Sequence, residues 1–254
     1  VAFGAWVRAA SMHEPVEQMG IAHMLEHMVF KGTTRYTARE LALALEVLGG
    51  SLDAYTTREH TSFQARVLDE HLVHAADVIG QLVFAPLLRD EDLRLERKVI
   101  LEEIAMVDDT PDDVVFDLHA AAMYPGHPYG YSILGTADTV RAITADDLQA
   151  LHARTYRPEQ VVVAAVGSVT HEALLDALER TGWLAQAAGT LAPLVAPVPV
   201  APITGRAHVQ RRDATQVHVV LGGAAPRHDA PDRQHLAVAT ALLGGGMSSR
   251  LFQR

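Results

Sequence analysis

His23, Glu26 and His27, inside the segment GIAHMLEHMVFKGT, are the residues of this chain best placed by type and spacing to do chemistry. A helical residue turns about 100°, so histidines four apart share a face and can grip one metal ion. With His23 at 0°, Glu26 falls at about −60° and His27 at about +40°. The glutamate thus lies beside the same ion, where it can act on a water carried by the metal. Ile21, Leu25, Met28 and Val29 fall between about 140° and 240°, on the opposite side. The spacing predicts an amphipathic helix with an apolar back and a chelating front. Chance can place two histidines and a glutamate this way, so the motif needs a third ligand before it signifies zinc.

That ligand is sought in DEDLRLERKVILEEIAMVDD, residues 90–109, whose apolar spacing predicts a helix. Leu93, Glu96, Ile100, Glu103 and Val107 form the seam expected to face a core, with two carboxylates in apolar slots. Taking Leu93 as 0°, Glu96 and Glu103 fall at about 300° and 280°, whereas Glu102 points to about 180°, beside Lys98 and Arg94. Adjacent glutamates therefore have opposite fates, Glu102 toward solvent and Glu103 inward. An inward carboxylate is costly unless a cation or donor satisfies it. A metal held by His23 and His27 would satisfy Glu103, and Glu96, one heptad earlier, would orient a ligand or help handle protons. The competing reading pairs both glutamates with arginines in a structural network.

With these residues in place the chain resembles the pitrilysin, or M16, metallopeptidases, in particular the group similar to mitochondrial processing peptidase. Their inverted zinc motif, H-x-x-E-H, is matched by His23, Glu26 and His27. The family's third ligand falls on Glu103 and its additional glutamate on Glu96. GIAHMLEHMVFKGT, LDAYTTREHT, ERKVILEEI, HPYGYSILGT and GGGMSSRLF are all similar to family segments, in family order. The resemblance implies an α+β fold, an antiparallel sheet flanked by helices, with the start of a second similar domain. It also implies one Zn²⁺ per chain and a peptide substrate bound near Asp53-Ala54. Most members show Asn-Ala there, so Asp53 alters the expected polarity of the cleft. A homo-oligomer or a second M16-like subunit is the protein partner that the resemblance suggests.

Composition narrows the alternatives. The 254 residues are 49% hydrophobic, enough for a proper core, yet no run approaches the length of an uninterrupted membrane span. Net charge is −10 with no basic cluster, which argues against nucleic acid. Cysteine is absent, so disulfides, thiolate metal sites and a thiol nucleophile are excluded. No Gly-x-Ser-x-Gly elbow is present. With no signal peptide to read, a cytoplasmic location is the expectation.

The elements that must position the site follow from periodicity and caps. VAFGAWVRA opens the chain as a strand. A capping box over Thr37–Glu40 starts a helix that Leu41, Leu45 and Leu48 continue to Gly49-Gly50. Residues 51–56 and the alternating run through Phe63, Ala65 and Val67 form a hairpin about Thr57–His60. Helices are predicted over 69–83, 90–108 and 112–123, followed by a Gly- and Pro-rich loop over 125–136. A helix from Thr144, a strand over 160–167 and a helix over 171–181 complete a first domain, residues 1–186. Residues 187–205, rich in proline, read as a semi-rigid linker. Residues 206–254 read as an incomplete second domain: the strand TQVHVVLGG, then a helix over 231–243 stopped by Gly244–Gly246. The pattern reads as a fragment clipped at both ends.

His71 and His74 also have chelating spacing but no inward carboxylate beside them, and they read as packing or solvated residues. The glycine-rich Gly244–Arg250 stretch lacks a phosphate-loop lysine; it reads as a helix stop or, by the resemblance, as a segment near the substrate. The function expected is zinc-dependent endopeptidase chemistry, with Glu26 as general base and the peptide added as a strand beside residues 51–56. The alternatives are a non-catalytic subunit of the same fold and a metal-binding module without hydrolysis.

Overall fold

A computed structural model describes residues 1–186, 201–203, 205, 207–213 and 215–254. Its frame is a four-stranded antiparallel sheet of β1 (Ala2–Val7), β2 (Ser51–Thr56), β3 (Thr61–Arg66) and β4 (Val161–Val166), in the order β2-β3-β1-β4. The hairpin pairs Ala54 with Phe63 and Thr56 with Thr61, and Ala5 stands opposite both Phe63 and Val163. Period-two alternation sends Phe3, Ala5, Val7, Phe63 and Ala65 to one face, where they are fully buried. The helices α1 (Ile21–Val29) and α3 (Leu72–Phe84) cover that face. Around them lie α2 (Ala38–Leu43), α4 (Asp90–Asp108), α5 (Pro111–Met123), α6 (Ala137–Ala142), α7 (Ala145–Thr155) and α8 (His171–Arg180). The core runs without a break from Phe3 to Trp183, whose indole N–H donates to the Ala76 carbonyl at 2.9 Å. This is an α+β fold with a small antiparallel sheet flanked by helices, as expected.

Three local expectations are corrected. The helix predicted through Leu48 ends at Leu43 and resumes as a single 3₁₀ turn at Glu46–Leu48. The reason is the entry into β2: a Cβ on Gly50 would stand 2.6 Å from the Arg66 carbonyl oxygen, so the chain must tighten through Gly49, at φ 74°, to bring the strand alongside β3. Second, α6 follows the glycine-rich loop unannounced. It is too short to show a period, and it is held by its Thr136 cap and by Arg97 of α4, which donates to the carbonyls of Val140 and Ile143. Third, the strand expected over 215–223 does not form. Val217, Val219 and Leu221 are exposed, and among the described residues no neighbouring strand offers them a ladder. The helix after it is present as α9 (Arg233–Gly244). Residues 187–200 and Thr204, most of the expected linker, lie outside the described residues.

Candidate active site

The site begins with α1, whose apolar back is driven into the core: Met24, Leu25, Met28 and Val29 are fully buried. Its own sequence supplies no side-chain cap, and its N-cap, Gly20, sits at φ 91°. The cap comes from a preceding loop instead. The buried Glu14 carboxylate accepts the N–H of Gly20 at 2.9 Å and of Ala22 at 2.8 Å. Burial pushes this carboxyl up to about 7, against the lowering effect of the two N–H donors. Above the same turn the chain passes so closely that a Cβ on Gly135 would stand 2.3 Å from the Met19 carbonyl oxygen. Glu14 has no signature in the sequence because its partners lie beyond the 3₁₀ turn Val16–Gln18, outside any local capping pattern.

The seam of α4 lies against α1 as its spacing predicts. Leu93 and Ile100 are buried, Glu96 is 5% exposed, Glu103 is half-buried and Glu102 is exposed. The Glu103 Oε2 atom stands 3.8 Å from His23 Nε2 and 3.8 Å from His27 Nε2, and all three donors lie within 4.8 Å of one another. Zinc bonds of about 2.0–2.2 Å let two donors on one ion stand no more than about 4.3 Å apart, so both histidine–glutamate separations suit a shared ion. Two imidazoles and a carboxylate are also a donor set used by catalytic zinc sites. Among the described residues no other group of three His, Asp or Glu side chains converges in this way. Burial, and after it the neighbouring His27, pulls His23 down to about 4, so it is neutral and able to coordinate at neutral pH. The residues present fit the ion.

Glu96 turns away from the three donors. Its Oε1 lies 2.9 Å from His27 Nδ1 and its Oε2 lies 2.6 Å from Lys31 Nζ. A carboxylate there favours the Nδ1–H tautomer of His27 and leaves the Nε2 lone pair aimed at Glu103. His23 has no such support, since its Nδ1 is buried without a hydrogen-bond partner among the described residues. Glu26 lies on the same face of α1 and accepts a 2.5 Å hydrogen bond from the Thr56 hydroxyl at the end of β2. Burial pushes the Glu26 carboxyl up, while the Thr56 bond and His27 draw it back down.

A cleft of about 560 Å³ opens over these groups. Ala54, Tyr55 and Thr56 of the edge strand form one wall, and Asp113, Phe116 and Asp117 of α5 line another. The 132–134 loop closes a further side, and Arg58 reaches in while donating to the Tyr129 carbonyl at 2.9 Å. Of the two residues expected to meet substrate, Ala54 lines the cleft. Asp53 is exposed and does not line it. None of the described residues of Gly244–Arg250 lines the cleft either. His74 bonds the Ala44 carbonyl at 3.1 Å, an ordinary packing contact.

A helix carrying two histidines and a glutamate, completed by a distant carboxylate beside a sheet edge, defines a metallopeptidase architecture. The family model described as Insulinase (Peptidase family M16) matches residues 1–137, and that described as Peptidase M16 inactive domain matches residues 142–254. An uncharacterized zinc protease of Mycobacterium leprae is 40% identical over 98% of this chain and 56% of its own length. A probable mitochondrial-processing peptidase subunit beta of Arabidopsis thaliana is 41% identical over 70% of this chain and 33% of its own. The crystal structure of a protease from Helicobacter pylori superposes with a TM-score of 0.84 at 23% identity, over 99% of this chain and 61% of that one, a likeness of fold. The chain belongs to peptidase family M16, and its His23, His27 and Glu103 side chains form a cluster that could hold a metal ion. It spans little more than half the length of the M. leprae relative.

Proposed function

We propose that this chain carries the centre of a zinc-dependent metalloendopeptidase acting on extended or unfolded peptides. One observation carries the reading: His23, His27 and Glu103 converge from two helices within 4.8 Å, with Glu26 beside them. Those three side chains would hold one Zn²⁺, which when bound polarises the scissile carbonyl and makes water a better nucleophile near neutral pH. Glu26 accepts the proton of the attacking water and returns it to the leaving amine. Glu96 keeps His27 oriented, and Lys31 balances the buried charge of Glu96.

The outer edge of β2 has no paired strand among the described residues, and it borders the cleft. A substrate adding there as a further strand is held through its backbone, with Ala54 beneath it and Asp53 contributing main chain, so side-chain specificity is broad. The acids Asp113 and Asp117 on the facing wall favour basic residues in that substrate. Residues 1–186 form the catalytic unit in this reading, supported by the unbroken core from Phe3 to Trp183. Residues 206–254 belong to a second domain in the same reading. A second copy or a second M16-like subunit is the partner class that fits, in keeping with the relative named as a subunit.

The test measures bound metal and cleavage of a long unstructured peptide, with and without chelator. About one zinc per chain and chelator-sensitive cleavage are expected, and Glu26→Gln should keep the metal while losing at least about 10²-fold in rate. Chelator-resistant cleavage, or a Glu26→Gln variant at full rate, removes the reading. The alternative is a module of the same fold that binds zinc and peptide without efficient turnover. Stoichiometric zinc with peptide bound but uncleaved would select it.

A further inference from the structure

We propose that Thr56 is a positioning residue for Glu26: its hydroxyl pins Oε2 of the carboxylate to the end of the edge strand and leaves Oε1 as the oxygen that meets the reacting water. The proposal rests on Glu26 being the general base.

The direction of the hydrogen bond is fixed by chemistry. An ionised carboxylate only accepts, so the single Thr56 proton must point at Oε2. It is the one hydrogen bond made by the Glu26 side chain among the described residues. The hydroxyl is itself held from behind. Thr56 stands opposite Thr61 in the hairpin, their hydroxyl oxygens are 3.4 Å apart, and the fully buried Thr61 donates toward the Ala9 carbonyl at 3.3 Å. A chain of contacts therefore runs from β1's exit through the hairpin to the base.

Two consequences follow. Glutamate has three rotatable side-chain bonds, and the bond from Thr56 restrains them at the cleft that Thr56 and Glu26 both line. Thr56 is also the last residue of the strand proposed to receive the peptide, so the backbone that binds substrate and the hydroxyl that positions the base share one rigid element. A misplacement of about 1 Å at a reacting group can cost on the order of 10²-fold in rate. Removing the hydroxyl should therefore be felt in turnover rather than in binding.

The experiment compares Thr56→Val, of similar shape without the donor, with Thr56→Ser, which keeps it, in the zinc-loaded full chain. Thr56→Val should lower kcat about 10- to 100-fold with KM within about twofold and zinc content unchanged, and Thr56→Ser should recover to within about threefold of wild type. In a Glu26→Gln background, Thr56→Val should cause no further loss, because it acts through the group already removed. Independently of turnover, a crystal structure of zinc-loaded Thr56→Val should show the Glu26 carboxylate in more than one rotamer. An unchanged kcat, an effect confined to KM, a Thr56→Ser variant as impaired as Thr56→Val, or a single unmoved Glu26 rotamer overturns the proposal. Should Thr56→Val not fold, the Thr56→Ser and Thr56→Ala pair makes the same kcat comparison. Full activity in Glu26→Gln would overturn the base assignment itself. Loss in Glu26→Gln with normal Thr56→Val would overturn the positioning role alone.

Discussion

Glu102 and Glu103 are neighbours in sequence with the same side chain, and α4 separates them by the turn of one residue. Glu103 faces two imidazoles at 3.8 Å, while Glu102 is exposed. Glu103→Gln should weaken zinc binding by more than about 100-fold, since a neutral amide replaces an anionic donor, and Glu102→Gln should leave it within about threefold. Competition with a chromophoric chelator measures both, and equal behaviour of the pair would contradict the assigned geometry. His23, Glu26, His27, Glu96 and Glu103 were legible in the sequence because each lies on a helix whose period fixes its direction. The structure bears out the inward turn of both carboxylates, and it refines Glu96 by showing the His27 and Lys31 contacts that occupy it. Thr56 was not legible. Its bond to Glu26 spans 30 residues and depends on how the hairpin stacks over α1, a tertiary fact with no local pattern.

At the scale of elements, α1 is a short helix that owes its start to a remote carboxylate. Glu14 has a folded-state pKa of about 7, above its ordinary value of 4.5, because burial outweighs its two N–H donors. An acid raised in this way binds its proton more tightly when folded. Its contribution to stability is full below pH 4.5 and is lost as pH rises to about 7. His23 acts in the opposite sense: its lowered pKa means that stability is lost as pH falls from 6.5 toward about 4. The wild-type profile alone therefore mixes the two, and the difference between wild type and Glu14→Gln isolates Glu14. In metal-free protein, that variant should gain relative to wild type by up to roughly 3 kcal/mol between pH 5 and 8, whatever its fixed cost from the lost acceptor. Urea midpoints at several pH values measure the difference, and a constant offset would show that Glu14 does not titrate in this window. The longer helices α3, α4, α5 and α7 were readable because several turns of apolar period outvote local noise. The six-residue α6 had too few turns for that, and the strand expected over 215–223 had the alternation but no neighbour to pair with.

On the scale of the whole molecule, charge and openness act together. The chain carries a formal net charge of −10, and two of its acids, Asp113 and Asp117, stand one helical turn apart on the wall of the cleft. Arg58 is the one Arg or Lys side chain lining that cleft among the described residues. On the proposed function, a peptide approaching the outer edge of β2 would meet an acidic field, which would raise the encounter rate of basic peptides and be screened by salt. Partly exposed ion pairs contribute about 0.2–1 kcal/mol each, so removing one carboxylate should cost up to about fivefold in kcat/KM for a basic peptide. Asp113→Asn and Asp117→Asn are accordingly expected to lower kcat/KM for a lysine-rich unstructured peptide while leaving a neutral analogue nearly unchanged. The wild-type preference for the basic peptide should shrink between about 0.05 and 0.5 M salt, as the Debye length falls from about 14 to about 4 Å. Parallel assays of the two peptides across that range decide the matter. If basic and neutral peptides respond alike to both substitutions and to salt, the acids on α5 serve solvation rather than selection, and specificity must come from the shape of the strand edge alone.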